Sequence, residues 1–540
     1  YSGNPHSRLF DLLIVFILGL LILGAPLPFG SVQYLPVAAI ELLATLAFLI
    51  WIYKLVFCGD PHLLAEFRES YAREASEFAR LAFFHRHYWL ARVFRILTLG
   101  FWPRKNVAEN LIVDGTAAPR RLRYYNLFGF PVKKTGIETL ALLFLLLLIL
   151  QLIPLPSPLL RILSPSTVDL YRTAYQTMGK NVHFFPISLD AFATFERLLR
   201  YTAYLIVFVV VVNNIRTRTL FSVILYCIFV SAVFQGVYGL YEVLSGHQHI
   251  FGYRKIYNTD SATGTFINRN HYACYLELAI PLLITVTVGR FASLRSFRGN
   301  IFVRISHALE TQGSQVLLLV MMMVLVCVAL IFSLSRSGIS FGIVSVIVFF
   351  FLYWRAKGRL TSKSYLGLGI AATLALVVWI GLHPVIQRFL SISQNWQDEG
   401  ARWDVWKSTL NIFLHFPIAG TGAGTFEEIF PMYRSFVHHV LYDYAHNDYL
   451  QFLSETGVLS LLLMIGLFDL LIERIGRILS LREFNRLAVI QLGAFCALLS
   501  LALHSITDFS IQIPAVAIQS CIIAGLLFSN YHAENRGISR

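Results

Sequence analysis

The sequence predicts an all-α integral membrane protein with about twelve transmembrane helices and one large, partly helical loop on the outer side. Two observations support this fold class. Hydrophobic residues make up 56% of the 540 residues and charged residues only 14%, whereas soluble domains carry roughly a quarter charged residues. Residues 140–153 and 315–332 contain no charge, and a helix of about 20 apolar residues crosses a bilayer.

Each predicted span is an apolar run bounded by polar, charged or helix-breaking residues. The first run leads directly into further spans, so we interpret it as a membrane anchor rather than a cleaved signal peptide. The approximate limits of the twelve runs are 9–26, 35–57, 137–155, 201–213, 219–243, 271–289, 315–332, 339–354, 365–383, 457–472, 487–503 and 514–530.

Lys and Arg residues cluster between the spans and account for the net charge of +14. Loops rich in Lys and Arg stay in the cytoplasm, so both termini are expected on the cytoplasmic side. The expected partner of this positive charge is anionic lipid of the cytoplasmic leaflet rather than nucleic acid. The regions that result are two spans at 1–57, a basic cytoplasmic insert at 58–136, spans three to nine at 137–383, a periplasmic loop at 384–456 and three spans at 457–540.

The insert at residues 58–136 contains apolar residues near helical spacing between Arg and Glu side chains. This pattern predicts an interfacial helix whose apolar face lies in the headgroup layer, while Arg68, Arg73 and Arg80 contact anionic lipid. A docking helix for a partner protein or for the bundle fits the same pattern. The apolar positions are Leu63, Leu64, Phe67, Tyr71, Phe78 and Leu81.

The six cysteines lie mostly inside apolar runs, without a CxxC motif or a Cys/His ligand spacing. They are expected to pack as small buried hydrophobic residues. We therefore predict neither a disulfide framework nor a metal site, and no cofactor.

A charged residue, Arg336, lies in a short polar segment at residues 333–338, between two apolar runs. Ionisable groups near membrane depth are costly, so their positions indicate function. A hairpin turn whose Arg side chain extends to the interface is the alternative interpretation.

The loop at 384–456 is too long for a simple connection and carries a dense mixture of polar and aromatic residues. Its middle predicts a helix at 401–416, a stop at Pro417, a glycine-rich turn at 420–424 and a second helix start. The backbone N–H groups of Gly422 and Gly424 would bind phosphate, and Arg402 and Lys407 would add positive charge. Ordinary turn chemistry is the alternative.

His446 follows in the same loop, in a segment rich in polar and aromatic residues. A histidine accepts a proton from a hydroxyl near neutral pH, so His446 is the candidate general base. Asp443, Asp448 or Glu455 would orient its ring.

These segments together resemble the O-antigen ligase superfamily, which includes O-antigen ligases, O-antigen and exopolysaccharide polymerases, and protein oligosaccharyltransferases. The resemblance runs from about Ser188 to the C-terminus, and the insert at 58–136 departs from the usual pattern. The residues that carry it are Ser335-Arg336-Ser337-Gly338, the run from Ala401-Arg402-Trp403 to Gly420-Thr421-Gly422-Ala423-Gly424, His446-Asn447-Asp448-Tyr449-Leu450-Gln451 with Glu455 and Gly457, the run from Gly264 to His271, and Thr507-Asp508-Phe509.

The resemblance implies transfer of a glycan from polyprenyl (undecaprenyl) diphosphate to an acceptor hydroxyl at the periplasmic face of the bacterial inner membrane, without a metal. It implies that Arg336 and Arg402, with Arg269 and Lys407, bind the diphosphate, and that His446 acts as the base in an inverting displacement. Asn447, Asp448, Glu455 and Asp508 are the implied supporting residues.

Within this family, ligation to lipid A–core is our first expectation, and polymerisation of lipid-linked repeat units is the alternative. Chain-length regulators or envelope assembly proteins are further expected partners. A transporter or glycan flippase would instead place paired charges near mid-membrane and repeat one half of the chain in the other. A structural scaffold would leave Arg336, Arg402 and His446 dispensable.

Overall fold

The computed structural model describes residues 5–58, 124–127, 130–293, 301–357, 396–437, 441–481 and 484–529. The predicted ninth span, most of the basic insert with its interfacial helix, and the first twelve residues of the 384–456 loop lie outside the described residues.

Fifteen α-helices occupy the described ranges. They are α1 (Pro5–Gly24), α2 (Tyr34–Tyr53), α3 (Ile137–Leu152), α4 (Ser157–Leu163), α5 (Pro165–Thr177), α6 (Ala191–Asn214), α7 (Arg218–Ser245), α8 (Arg269–Ser293), α9 (Ile301–Phe332), α10 (Arg336–Lys357), α11 (Trp396–His415), α12 (Phe426–Tyr433), α13 (Asp448–Leu479), α14 (Arg486–His504) and α15 (Pro514–Phe528).

Three short antiparallel strand pairs complete the described secondary structure, together with a π-helical turn after α2 and a 3₁₀ turn before α15. The strands are β1 (Tyr124–Leu127), β2 (Phe130–Lys133), β3 (Leu155–Pro156), β4 (Phe184–Phe185), β5 (His249–Ile250) and β6 (Tyr253–Arg254), which pair in that order. The chain is thus an all-α membrane protein, as predicted.

Seven of the described helices are long and apolar enough to cross a bilayer: α1, α2, α7, α8, α9, α10 and α14. Two apolar helices, α3 and α15, are shorter. Helices α6 and α13 extend several residues beyond their predicted spans, into segments that contain polar and charged residues. Helices therefore lie at every predicted span within the described residues, and the total of twelve spans stays a prediction.

Helix α8 is the centre of the bundle and the most completely buried of the seven long helices. It packs against α7, α9, α10, α14 and α15. Close contact is possible because small residues lie at the crossings: a Cβ on Gly493 of α14 would meet Thr285 at 2.2 Å, and a Cβ on Gly338 of α10 would meet Ala273 at 2.5 Å. This packing brings the start of α8 to the end of α14.

Helices α11 and α12 lie where the loop sequence predicts a helix, a turn and a second helix, although α11 begins five residues earlier than expected. Val405, Phe416, Phe426 and Phe430 form a small apolar core between the two helices. That these helices belong to one periplasmic loop stays a prediction.

A glycine junction ties this segment to α13. Gly420, Gly422, Gly424 and Gly457 all have positive φ, a backbone region that side chains other than glycine rarely adopt. At Gly457 (φ 69°, ψ −168°) α13 is interrupted, and a Cβ there would lie 2.2 Å from the Ile418 carbonyl oxygen. The junction thus fixes the bend of α13 against the segment after α11.

We expect Gly457→Ala to lower the free energy of unfolding by at least about 2 kcal/mol, because the new methyl group meets backbone at a positive φ. Thermal unfolding of the purified protein in detergent measures this. Gly476→Ala in the same helix is the matched control, since a Cβ at Gly476 meets nothing within 4 Å. The control should be neutral or slightly stabilising, and equal losses in both variants would contradict this account of the junction.

Candidate functional site

The carboxylate of Asp508 is the centre of the candidate site. Asp508 follows α14 and is completely buried. Its Oδ1 atom accepts a hydrogen bond from Nδ1 of His446 at 3.3 Å and lies 3.7 Å from Nε2 of His271. With Nδ1–H directed at the carboxylate, the lone pair of the His446 ring is on Nε2, which is the arrangement a general base needs.

The ring of Phe509 holds both histidines in place. It meets His446 edge to face at 4.9 Å and His271 at 4.6 Å between ring centroids. Its other contact is Tyr444, whose ring is stacked on it at 4.2 Å with an interplanar angle of 11°. The rings of both histidines therefore pack against a single aromatic side chain.

The backbone of His446 is strained, since its φ is +50°. Residues other than glycine in this region cost about 1–3 kcal/mol and are concentrated at functional sites. The next residue, Asn447, caps α13 by accepting a hydrogen bond from the Leu450 N–H at 3.1 Å. The strain therefore turns the chain so that the ring of His446 faces Asp508 while α13 begins directly behind it.

Asp448 anchors this turn to the end of α14. Its N–H donates to the carbonyl oxygens of Ser505 and Asp508, at 2.9 and 3.2 Å, and its carboxylate accepts from the Ile511 N–H at 3.1 Å. The carboxyl is fully buried, and burial raises the pKa of Asp448 to about 7 despite the Ile511 hydrogen bond, with the charge of Asp508 adding to the rise.

The pKa of Asp508 is shifted in the opposite direction. Burial alone would raise the pKa of a carboxyl, but the neighbouring His271 and His446 side chains outweigh burial and hold the pKa of Asp508 well below its usual range. Two neighbouring carboxyls thus have different protonation near neutral pH, with Asp508 ionised beside the histidines.

Arg402 lies over the same turn. Its Nη1 donates to the carbonyl oxygen of Thr507 at 3.3 Å, one residue before Asp508. One helical turn later, the indole N–H of Trp406 donates to the His446 carbonyl oxygen at 3.3 Å. Helix α11 therefore bonds both the segment that carries Asp508, through half-buried Arg402, and the segment that carries His446, through Trp406.

Arg336 lies near the start of α8. It is the half-buried first residue of α10 and follows a tight turn in which Leu334 has a φ of +53°. The neighbouring Ser335 hydroxyl donates to the side-chain oxygen of Asn270 at 2.8 Å, and Asn270 directly precedes His271. Arg336 thus lies next to the segment that carries the second histidine.

The other two basic residues that the sequence suggested have protein partners. Arg269 begins α8 and lies 3.7 Å from the carboxylate of Asp260. Lys407 is 71% exposed and lies 3.6 Å from Asp404 on the same helix. Lys407 therefore lies on the outer surface of α11 rather than beside Asp508, and the structure does not support a site role for it.

The glycine turn has a different role from the predicted one. The Gly422 N–H donates to the Glu455 carbonyl oxygen at 2.9 Å, and the Gly424 N–H donates to the Glu455 carboxylate at 2.8 Å. The Ala423 N–H between them donates to the side chain of Gln151 at 3.1 Å. The prediction that Gly422 and Gly424 bind phosphate is corrected accordingly: these N–H groups bind the protein itself.

Glu455 is also reassigned. It was one of three carboxylates expected to orient the His446 ring, with Asp443 and Asp448, but Asp508 has that place. Glu455 is buried and accepts from Gly424 and from Gln451 at 3.1 Å. Burial raises its pKa, and the charge of Arg197 and the Gly424 hydrogen bond oppose this. Its contacts stabilise the glycine junction.

His271 was not singled out from the sequence as a site residue, although it lies in a motif that carries the resemblance. A polar run at the start of an apolar helix, Arg269-Asn270-His271, is the signal that indicates it. Its proximity to Asp508, 237 positions later in the chain, has no local sequence signature.

A second buried group lies deeper between the same helices. His504 Nδ1 donates to Glu277 at 2.9 Å, and the ligand atoms of Cys274, Glu277 and His504 all lie within 4.8 Å of one another. Among the described residues, this is the group with ligand types and spacing that would hold a metal ion. The expectation of no metal stays a prediction.

Residues 321–465 match the family model described as O-antigen ligase. The match confirms the resemblance to the O-antigen ligase superfamily, and it contains Arg336, Arg402 and His446. The family implies a glycosyltransferase-like ligase or polymerase activity on a lipid-linked glycan and an acceptor, in a multi-pass membrane protein. No curated protein matches the chain.

The raised pKa of Asp448 predicts a pH dependence of stability. The folded protein holds this proton up to about pH 7, whereas an unfolded aspartate loses it near pH 4. The contribution of Asp448 to the free energy of unfolding should therefore be fully present below pH 4 and be lost between pH 4 and 7, by up to about 1.4 kcal/mol per pH unit.

Asp448→Asn should flatten this decline when thermal unfolding is measured between pH 5 and 8. Asp443→Asn, which changes an exposed carboxyl five residues earlier, is the matched control and should keep the wild-type slope. A wild-type slope in Asp448→Asn would show that the proton is held elsewhere.

Proposed function

We propose that this chain, which carries an O-antigen ligase domain over residues 321–465, transfers a glycan from polyprenyl diphosphate to an acceptor hydroxyl. The observation that carries the proposal is the hydrogen bond from His446 to the buried Asp508, with Arg402 bound one residue away. We place this site at the periplasmic face of the bacterial inner membrane, with both termini in the cytoplasm, and take lipid A–core as the acceptor.

In the proposed reaction, Nε2 of His446 removes the proton of the acceptor hydroxyl as its oxygen attacks the anomeric carbon. The bond between that carbon and the diphosphate oxygen breaks, and a single displacement inverts the anomeric centre. Asp508 stays ionised and stabilises the imidazolium that forms, while holding the ring in the reactive tautomer. The protein needs no proton for the leaving group, because a diphosphate is a stable anion.

The guanidinium groups of Arg336 and Arg402 bind the diphosphate and stabilise the negative charge that develops on its oxygens. Arg402 is anchored to the turn that bears Asp508, and Arg336 follows Ser335, whose hydroxyl bonds Asn270 at the start of α8. Planar guanidinium groups form paired hydrogen bonds with phosphate oxygens, and fixed donors stabilise charge that appears in the transition state. The mechanism uses no metal ion.

The first test of the proposal is transfer by the purified protein supplied with a polyprenyl-diphosphate glycan. His446→Ala should lower the transfer rate by roughly 10²–10⁴-fold, because it removes the base, while donor binding stays near wild type. His415→Ala is the matched control. This exposed histidine of α11 forms a hydrogen bond with Tyr433 of α12, and its loss should leave transfer unchanged. Full activity in His446→Ala would remove the base assignment.

The acceptor is decided in the same assay by offering lipid A–core, a second lipid-linked repeat unit and a Ser/Thr peptide in parallel. We expect product on lipid A–core. Lengthened lipid-linked glycan instead would assign the polymerase reaction, which uses the same base and the same donor. Absence of transfer to every acceptor, with the donor bound, would contradict the transferase proposal.

A second test separates the diphosphate site from general surface charge. Arg402→Ala should weaken donor binding about 10- to 100-fold, as expected for loss of charged hydrogen bonds worth about 1.5–3 kcal/mol. Lys407→Ala on the same helix is the matched control, because its ammonium is exposed and paired with Asp404. Donor affinity can be measured by isothermal titration in detergent. Equal losses in both variants would indicate nonspecific attraction.

A further inference from the structure

The second histidine of the candidate site, His271, has no part in the proposed reaction, which needs only His446 as a base. His271 is 5% exposed, and its Nε2 atom faces the Asp508 carboxylate at 3.7 Å. A polar ring and a carboxylate are both costly to bury unless they interact with each other. The pairing of His271 with Asp508 therefore needs an explanation of its own.

The backbone on both sides of His271 is fixed by buried hydrogen bonds. His271 is the third residue of α8. Before it, the side-chain oxygen of Asn270 accepts from the Ser335 hydroxyl at 2.8 Å, and after it the Tyr272 hydroxyl donates to the Gln235 carbonyl oxygen of α7 at 3.2 Å. The ring therefore lies beside the carboxylate because the first turn of α8 is held from two directions.

Nitrogen atoms of three residues converge on Oδ1 of Asp508. The Phe509 N–H donates at 2.9 Å, the His446 Nδ1–H donates at 3.3 Å, and Nε2 of His271 lies at 3.7 Å. At that distance the His271 contact is electrostatic rather than a close hydrogen bond, but attraction to a buried charge is only weakly screened. The proton of the His271 ring therefore lies on Nε2, where it faces the negative charge.

The single charge of the Asp508 carboxylate can compensate one imidazolium. In each turnover His446 takes up a proton, and Asp508 neutralises the imidazolium that forms. A proton on His271 at the same time would place two cations beside one buried carboxylate, and an uncompensated buried charge is costly. His271 is therefore neutral during transfer, and it acts on Asp508 as a hydrogen-bearing dipole rather than as a second acid or base.

We propose that His271 is a positioning residue for the base. As a neutral ring it directs Nε2–H at the Asp508 carboxylate, and it thereby keeps that carboxylate ionised and available to His446. The pKa of Asp508 agrees with this role: burial would raise it, yet the side chains of His271 and His446 hold it well below its usual range. The inference rests on the proposed transfer reaction only in taking His446 as the base.

Two amide side chains at position 271 separate this role from packing. In His271→Gln the amide nitrogen can occupy the place of Nε2, whereas the shorter side chain of His271→Asn brings its nitrogen only to the place of Nδ1, away from the carboxylate. We expect His271→Gln to keep kcat within about fivefold of wild type and His271→Asn to lower kcat about 10- to 100-fold, with KM for the donor little changed. Both variants are neutral and polar, so each is the control for the other.

The reaction of His446 with diethyl pyrocarbonate gives a readout that does not depend on transfer, because this reagent modifies only unprotonated imidazole. His446 is accessible to it, with 26% of its side chain exposed. Without the His271 donor the ionised carboxylate is less stable, so the Asp508–His446 pair takes up a proton at higher pH. The pH at which His446 becomes reactive, followed by mass spectrometry of its peptide, should rise by about one unit in His271→Asn and keep its wild-type value in His271→Gln.

The other charged and titratable groups around Asp508 are the same in the wild-type protein and in both variants. They are His446 and Asp448 at the start of α13, His504 at the end of α14 and Arg402 on α11, which bonds the residue before Asp508. A difference between the two amide variants therefore arises at position 271.

Two results would overturn the proposal. Equal losses of kcat in His271→Gln and His271→Asn would make His271 a packing residue, and an unshifted His446 profile in His271→Asn would show that His271 does not act on the Asp508–His446 pair. A shifted profile without transfer by the wild-type protein would support the role of His271 and contradict the transfer reaction. Should His271→Asn misfold, His271→Leu takes its place in both measurements, because leucine fills the site without a donor.

Discussion

The buried carboxylate of Asp508 is the constraint on which the candidate site depends. A carboxylate without water is costly unless it is paired, and here two imidazoles lie within 3.7 Å of one oxygen. Other contacts of the site support that pairing. Phe509 packs on both imidazole rings. The Asp448 N–H donates to the Asp508 carbonyl oxygen, and Arg402 donates to the carbonyl oxygen of Thr507, the residue before Asp508. The geometry of His446 is thus set from residues in three separate segments.

A second network keeps those segments together. Gln151, buried near the end of α3, donates to the carbonyl oxygens of Ala419 and Glu455 and accepts from the Ala423 N–H. One buried side chain thereby joins α3, the glycine turn and α13. Because Gln151 is buried, losing one of its partners would leave buried polar groups without a hydrogen bond, which is costly.

Much of the fold was predictable because the apolar runs are long and membranes admit few alternatives. Arg402 and His446 were predictable because charged and titratable groups near such runs are rare. The partner of His446 was not, since Asp508 lies 62 positions away and pairing at that distance has no local spacing. The prediction that the glycine turn binds phosphate was wrong for a related reason. Glycines in the sequence indicate that the backbone turns, but they do not indicate whether its N–H groups face a ligand or a buried side chain such as Glu455.

The order of the site residues along the chain has a consequence for biosynthesis. Membrane proteins are made from the N-terminus, so Arg336, Arg402 and His446 enter the membrane before Asp508 and Phe509 have left the ribosome. Until then the histidine has neither its carboxylate nor its aromatic support, and Asp448 lacks the Ser505 and Asp508 carbonyl oxygens. A nascent chain that has not yet reached Asp508 therefore carries an unassembled base, and the site is completed only after Asp508 and Phe509 have been added.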